Sequence, residues 1–200
     1  MIAVQTLSVR FGGIKPIDQL TAALTAPVSG LIGPNGAGKT TLLNVLSGFV
    51  RPVEGSVRLD GRPLLPLSPL QRVKAGLRRS FQTEQVVEDL TARDNLFAIA
   101  DHVTAPGARS RTTDRALDFV GLRSVAHRLG ARLNLFERRL VELGKCLIGT
   151  PRLILLDEPA AGLTDDEGAR LRDLVLRIPS ELSAQVIVIE HDVDIIRAMC

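Results

Sequence analysis

The chain has 200 residues, 45% of them hydrophobic, which is enough for one domain with a buried core. Its net charge of +3 is spread along the chain rather than gathered in a block, and six Phe with no Tyr or Trp argue against a nucleic-acid binder that stacks bases. No apolar run approaches the roughly 20 residues of a membrane helix, the opening MIAVQTLSVRF carries no export leader, and Cys146 with Cys200 makes no disulfide framework, which suits a reducing cytoplasm.

Residues 2–11 alternate loosely and are rich in Val, Ile and Phe, which predicts a strand, with Phe11-Gly12-Gly13 turning the chain. A second short strand around 28–32 runs straight into GPNGAGKTT, and the LLNVLSGF that follows has helical apolar spacing. SVRLDG predicts a strand closed by an Asp-Gly turn. Residues 84–148 read as mostly helical, interrupted by the polar loop TAPGARSRT. Two continuous apolar runs, RLILLD and QVIVIE, predict buried parallel strands with a helix between them, and DVDIIRAMC predicts a short closing helix. Strand, glycine-rich loop, helix, helical insert, strand, helix, strand is the order of an α/β core with an inserted helical subdomain.

GPNGAGKT places Gly33, Gly38, Lys39 and Thr40 at the spacing G-x-x-x-x-G-K-S/T, the Walker A pattern. Glycines let such a loop curl so that successive N–H groups converge on a phosphate, at the positive end of the following helix. Lys39 would bridge the β- and γ-phosphates of a nucleoside triphosphate, the Thr40 hydroxyl would ligate Mg²⁺, and Thr41 would add a hydroxyl to the cradle. A glycine-rich turn that happens to hold Lys-Thr is the bland alternative, and the position between a strand and a helix argues against it. LILLDE supplies the complement: Asp157 at the carboxyl end of a buried strand would hold Mg²⁺, and Glu158 would orient the attacking water as general base. IEHD puts His191 at the end of the next strand, within reach of the same phosphate. Gln82, in RRSFQT, carries no signal by itself.

Together these residues resemble the nucleotide-binding subunits of ABC transporters, over almost the whole chain. By that resemblance Walker A is Gly33, Pro34, Asn35, Gly36, Ala37, Gly38, Lys39, Thr40 and Thr41, and Walker B ends on Asp157 and Glu158. Gln82 corresponds to the glutamine that senses Mg²⁺ and couples to the membrane subunit, His191 to the switch histidine, and Phe11 to the aromatic that stacks on adenine. The resemblance implies an ATPase with ATP and Mg²⁺ as cofactors, in which Glu158, His191, Lys39 and Gln82 serve catalysis and Thr40, Gln82 and Asp157 serve the metal. It implies a RecA-like P-loop NTPase fold with a mainly parallel sheet, an antiparallel β edge and the helical insert. The chain would be one domain, residues 1–82 and 149–200 forming the core and 83–148 the helical subdomain. The wording of GPNGAGKTTLLNVLSGF, DLTARDNL and LLDEPAAGL is most similar to the branched-chain amino acid uptake branch. The implied partners are a membrane permease and a second ATP-binding subunit, with no nucleic acid, on the inner face of the cell membrane. A poorly hydrolysing interaction module and a non-transport ABC ATPase are the rival readings.

Two departures stand out. Where most of the family carries L-S-G-G-Q, which contacts the nucleotide held by the opposite subunit, this chain reads Leu133, Asn134, Leu135, Phe136 and Glu137. By the resemblance Asn134 would contact the nucleotide; it can also still cap a helix, answered by Glu137 as a capping box, but side chains replace the glycines that let backbone approach phosphate. Phe136, Leu140, Leu143 and Leu147 then fall on one helical face, so packing accounts for them. A heterodimer with a glycine-bearing partner is therefore favoured over a homodimer. The second departure is the end of the sequence soon after His191, from which a low stability of the isolated chain is expected.

Overall fold

A computed structural model describes residues 1–190; His191 and the helix expected over DVDIIRAMC lie outside the described residues. In chain order, β1 (Ile2–Phe11) and β2 (Ile14–Leu24) form a hairpin, and β3 (Val28–Leu31) leads through the glycine-rich loop into α1 (Lys39–Ser47). Next come β4 (Glu54–Leu59), β5 (Arg62–Pro63), α2 (Pro69–Lys74) and β6 (Leu77–Arg79). The helical stretch is α3 (Ala92–Val103), α4 (Arg109–Val120) and α5 (Leu135–Leu147), followed by β7 (Leu153–Asp157), α6 (Asp165–Leu182) and β8 (Gln185–Ile189).

These strands make two sheets. One is antiparallel, in the order β2-β1-β4-β5, and the other runs β3-β8-β7-β6 with every pairing parallel. Alternation along β7 and β8 divides the core. Leu153, Leu155, Ile187 and Ile189 face the antiparallel sheet and α1, whereas Ile154, Leu156, Val186 and Val188 face α3, α5 and α6. Because both faces are covered, these strands read as unbroken apolar runs.

The Asp-Gly turn is present: Asp60 and Gly61 both take positive φ (48° and 77°), the conformation of a tight turn between β4 and β5. Several elements were not legible. β2 carries Pro16 and Asp18, which count against a strand, but it lies at the edge of its sheet, where a missing N–H costs nothing. α2 and β6 are six and three residues long, too short for periodicity to show. Two expectations are corrected. Residues 84–91 are not helical, and TAPGARSRT is only half a loop: Pro106–Ala108 forms a single 3₁₀ turn and α4 begins at Arg109. The run Arg109-Ser110-Arg111-Thr112 is polar because it lies near the surface of a helix, not because it is irregular. Among the described residues no helix is long and apolar enough to cross a membrane.

Candidate functional site

β3 delivers the chain into the glycine-rich loop. Gly38 stands at the start of α1 with φ 85°, and no side chain caps the helix there, so its first N–H groups are left to the loop. A Cβ on Gly38 would lie 2.3 Å from the Pro16 carbonyl oxygen, which leaves room for glycine alone. Gly36 has the same conformation (φ 83°) but open space around it. Lys39 Nζ donates to the carbonyls of Gly33 (2.5 Å) and Pro34 (2.9 Å), arching over the loop.

In front of this loop is a cleft of about 310 Å³. Its walls are Phe11 and Ile14 on the hairpin, Asn35 to Thr41 on the loop and first turn of α1, and Glu158 beyond β7. The fold therefore gathers the expected aromatic, phosphate loop and acid around one opening. Phe11 is half exposed there.

Asp157 ends β7, buried, and its Oδ2 accepts from Arg79 Nη2 at 3.1 Å. Burial pushes the Asp157 carboxyl above the ordinary range, and the Arg79 guanidinium pulls in the opposite direction. Glu158 has φ 51°, an uncommon left-handed conformation for a non-glycine residue, and its N–H donates to the Ile189 carbonyl at 2.9 Å. Such strained positions concentrate at functional sites. The turn aims the Glu158 carboxylate at the cleft, where Gln82 Nε2 donates to its Oε2 at 2.9 Å. Gln82 is held in turn from α5: Arg139, buried, donates to the carbonyls of Gln82 and Ala161, both at 3.1 Å.

The residues fit a nucleoside triphosphate with magnesium. The first turn of α1 carries no side-chain cap, Lys39 arches over the loop that precedes it, and the hydroxyl of Thr40, the carboxylate of Asp157 and the amide oxygen of Gln82 are hard oxygen donors suited to Mg²⁺. Asn134 does not line this cleft. It caps α5: its Oδ1 accepts from the Glu137 N–H at 2.8 Å, and Glu137 Oε2 accepts from the Asn134 N–H at 3.0 Å. Glu137 is also gripped by Arg128, at 2.7 and 2.8 Å to its two oxygens, so its charge is neutralised within the chain. Phe136 is buried with the Arg170 guanidinium 4.9 Å from its ring centre, while Leu135 remains 39% exposed.

The profile described as ABC transporter matches residues 25–161. The chain belongs to the ABC transporter family. It is 33% identical to the high-affinity branched-chain amino acid transport ATP-binding protein LivG of Salmonella typhimurium, over 98% of this chain and 84% of that protein. It is also 33% identical to the ribose import ATP-binding protein RbsA 1 of Mesorhizobium japonicum, over 90% of this chain and 36% of that protein. Among solved structures, the ADP conformation of MJ1267, an ATP-binding cassette of an ABC transporter, superposes with a TM-score of 0.87 at 26% identity, covering 100% of this chain and 84% of that one. The P-loop α/β core expected from the resemblance is that of this ABC cassette, and the antiparallel β edge expected beside a mainly parallel sheet is a separate four-stranded sheet.

Inspection of the sequence missed Arg79 and Arg139. The doublet Arg78-Arg79 was visible in RRSFQT, but the two side chains do different work. Arg78 turns to the carbonyls of Val73, Leu77 and Ile148, while Arg79 reaches Asp157.

Proposed function

We propose that this chain is an ATP-hydrolysing subunit that powers an importer of branched-chain amino acids or related solutes. The observation that carries it is the one cleft shared by Phe11, the glycine-rich loop and Glu158, with Glu158 held by a hydrogen bond from Gln82. Phe11 stacks on the adenine, and the loop N–H groups with Lys39 hold the phosphate tail. Thr40, Asp157 and Gln82 would hold magnesium, which would supply positive charge against the phosphate tail. Glu158, kept at the cleft by Gln82, orients the attacking water and takes its proton. The role of His191 at the γ-phosphate remains part of this reading and rests on its position in IEHD. Gln82 and residues 83–100 carry the motion of the site to a membrane permease, which places the chain on the inner face of the cell membrane.

A second ATP-binding subunit completes each site. Leu135 and Phe136, one exposed and one built into the core, occupy the place where bare backbone would approach the partner's nucleotide, so a glycine-bearing heterodimer partner is favoured. The substrate follows the similarity to LivG; the match to a ribose import protein makes sugars the second possibility. Glu158→Gln should retain ATP binding while turnover falls about 10²–10⁴-fold. Equilibrium nucleotide binding and phosphate release, measured on the same preparation, test this, and unchanged turnover would remove Glu158 as base.

A further inference from the structure

The two elements that carry the metal ligands are joined by one side chain. Arg79, at the end of β6, is buried to the same degree as its partner, with side-chain exposures of 6% for Arg79 and 5% for Asp157. Its Nη1 donates to Asn44 Oδ1 at 2.7 Å and to Ser47 Oγ at 3.2 Å, both on α1. Its Nη2 donates to Asp157 Oδ2 at 3.1 Å. The rings of Phe81 and Phe49 lie 4.9 and 5.9 Å from the guanidinium carbon and fix its orientation.

Asn44 is four residues beyond Thr40 on the same helix, and residues so spaced share a helix face. One end of the guanidinium thus holds the Thr40 face of α1 and the other holds Asp157. We propose that Arg79 is a positioning residue that sets the spacing between Thr40 and Asp157, and so fits the pair to magnesium. Because it rests on the reading of those two residues as the metal's ligands, it deepens the function proposed above. A guanidinium is flat and rigid, with donors pointing in two fixed directions, so it can bridge two acceptors at a set separation. A lysine ammonium is a single flexible point and cannot. Arg79 bonds Oδ2 of Asp157, and an ionised carboxylate has a second acceptor oxygen to offer a metal. Mg²⁺ demands near-ideal octahedral geometry whereas Ca²⁺ tolerates variable distances, so a loosened spacing penalises Mg²⁺ selectively.

The test uses the full chain as wild type, Arg79→Lys and Asn44→Ala. Affinity for ATP is measured by calorimetry in EDTA, in Mg²⁺ and in Ca²⁺, with a thermal melt for each variant. Asn44 is partly exposed, so its variant folds even if the buried Arg79→Lys does not. Asn44→Ala keeps the Arg79–Asp157 pair and removes the shorter of the two ties to α1, leaving the Ser47 bond. Both variants are expected to bind ATP in EDTA as wild type does, to lose about 10-fold of the affinity gained with Mg²⁺, as removal of outer supports around a metal typically does, and to keep the gain with Ca²⁺. A merely structural role would lower all three affinities together with the melting temperature. If folded variants keep the full magnesium gain, or lose EDTA and Mg²⁺ affinity in proportion, the proposal is overturned while the nucleotide site stands. If wild type takes up no ATP in any buffer, the nucleotide site itself fails; if it binds ATP with no magnesium gain, the metal reading fails and Arg79 loses this role.

Discussion

Gly36 and Gly38 share a backbone conformation and differ in their surroundings. Both carry φ near +85°, but a methyl at Gly38 meets the Pro16 carbonyl at 2.3 Å, and a methyl at Gly36 meets nothing. Gly36→Ala should therefore cost only the strain of a left-handed residue, about 1 kcal/mol. Gly38→Ala adds a clash that must push the loop from β2, so it should lower the melting temperature further and abolish ATP binding. Thermal melts of the two variants beside nucleotide titrations check the contrast. The loop was legible in the sequence because its spacing is dictated by backbone contact with phosphate, which few arrangements satisfy. Arg79 was not, because its role depends on Asn44 and Asp157, residues 35 and 78 positions away along the chain. Asp157, Glu158 and Gln82 stand between these cases. The structure brings Gln82 and Glu158 into contact, a pairing that neither residue announces alone.

At the scale of the element, α5 begins where the resemblance places a glycine signature. Its capping box was visible from Asn134 and Glu137, but the sequence did not show Arg128 closing on Glu137 from the chain just before the helix. Phe136 packs into the core and Leu135 is 39% exposed, so glycine substitutions at the two positions are not equivalent. Leu135→Gly opens the backbone with little loss of packing, whereas Phe136→Gly removes a buried ring at about 3–5 kcal/mol. The wild-type homodimer should turn over ATP slowly, and Leu135→Gly should raise that rate while Phe136→Gly destabilises the chain; steady-state ATPase rates and melts of each decide it. A fast wild-type homodimer would contradict the preference for a heterodimer.

Further along the same helix, burial pushes the Cys146 thiol from 9.0 to about 12. A raised thiol favours the fold at lower pH, and this contribution fades as pH climbs from about 9 through about 12, because the unfolded thiol ionises first. In a Cys200→Ser background, Cys146 should resist alkylation at pH 8 until the chain is unfolded in denaturant.

At the scale of the molecule, one parallel sheet separates two apolar clusters while belonging to both. Leu155 faces the antiparallel sheet and α1; its neighbour Ile154 faces the helices. Ile154→Ala and Leu155→Ala should each cost about 2–5 kcal/mol, and because the strand is shared, each should lower one common unfolding transition rather than split it. Circular dichroism and intrinsic exchange of amide hydrogens, followed through the same denaturant series, distinguish the two outcomes. This architecture was readable where strands are buried on both faces, as in RLILLD and QVIVIE, and obscure where an edge strand tolerates Pro16 or where an element is only three residues long.

The contact between Gly38 and Pro16 joins the phosphate loop to the outermost strand of the antiparallel sheet, with no side chain between them. A ligand that stiffens the loop would restrain that strand through bare backbone. The hairpin carrying Phe11 would then be steadied from its base by the tail of the same molecule whose flat ring it covers, so one nucleotide would be gripped at both ends by a single piece of the protein.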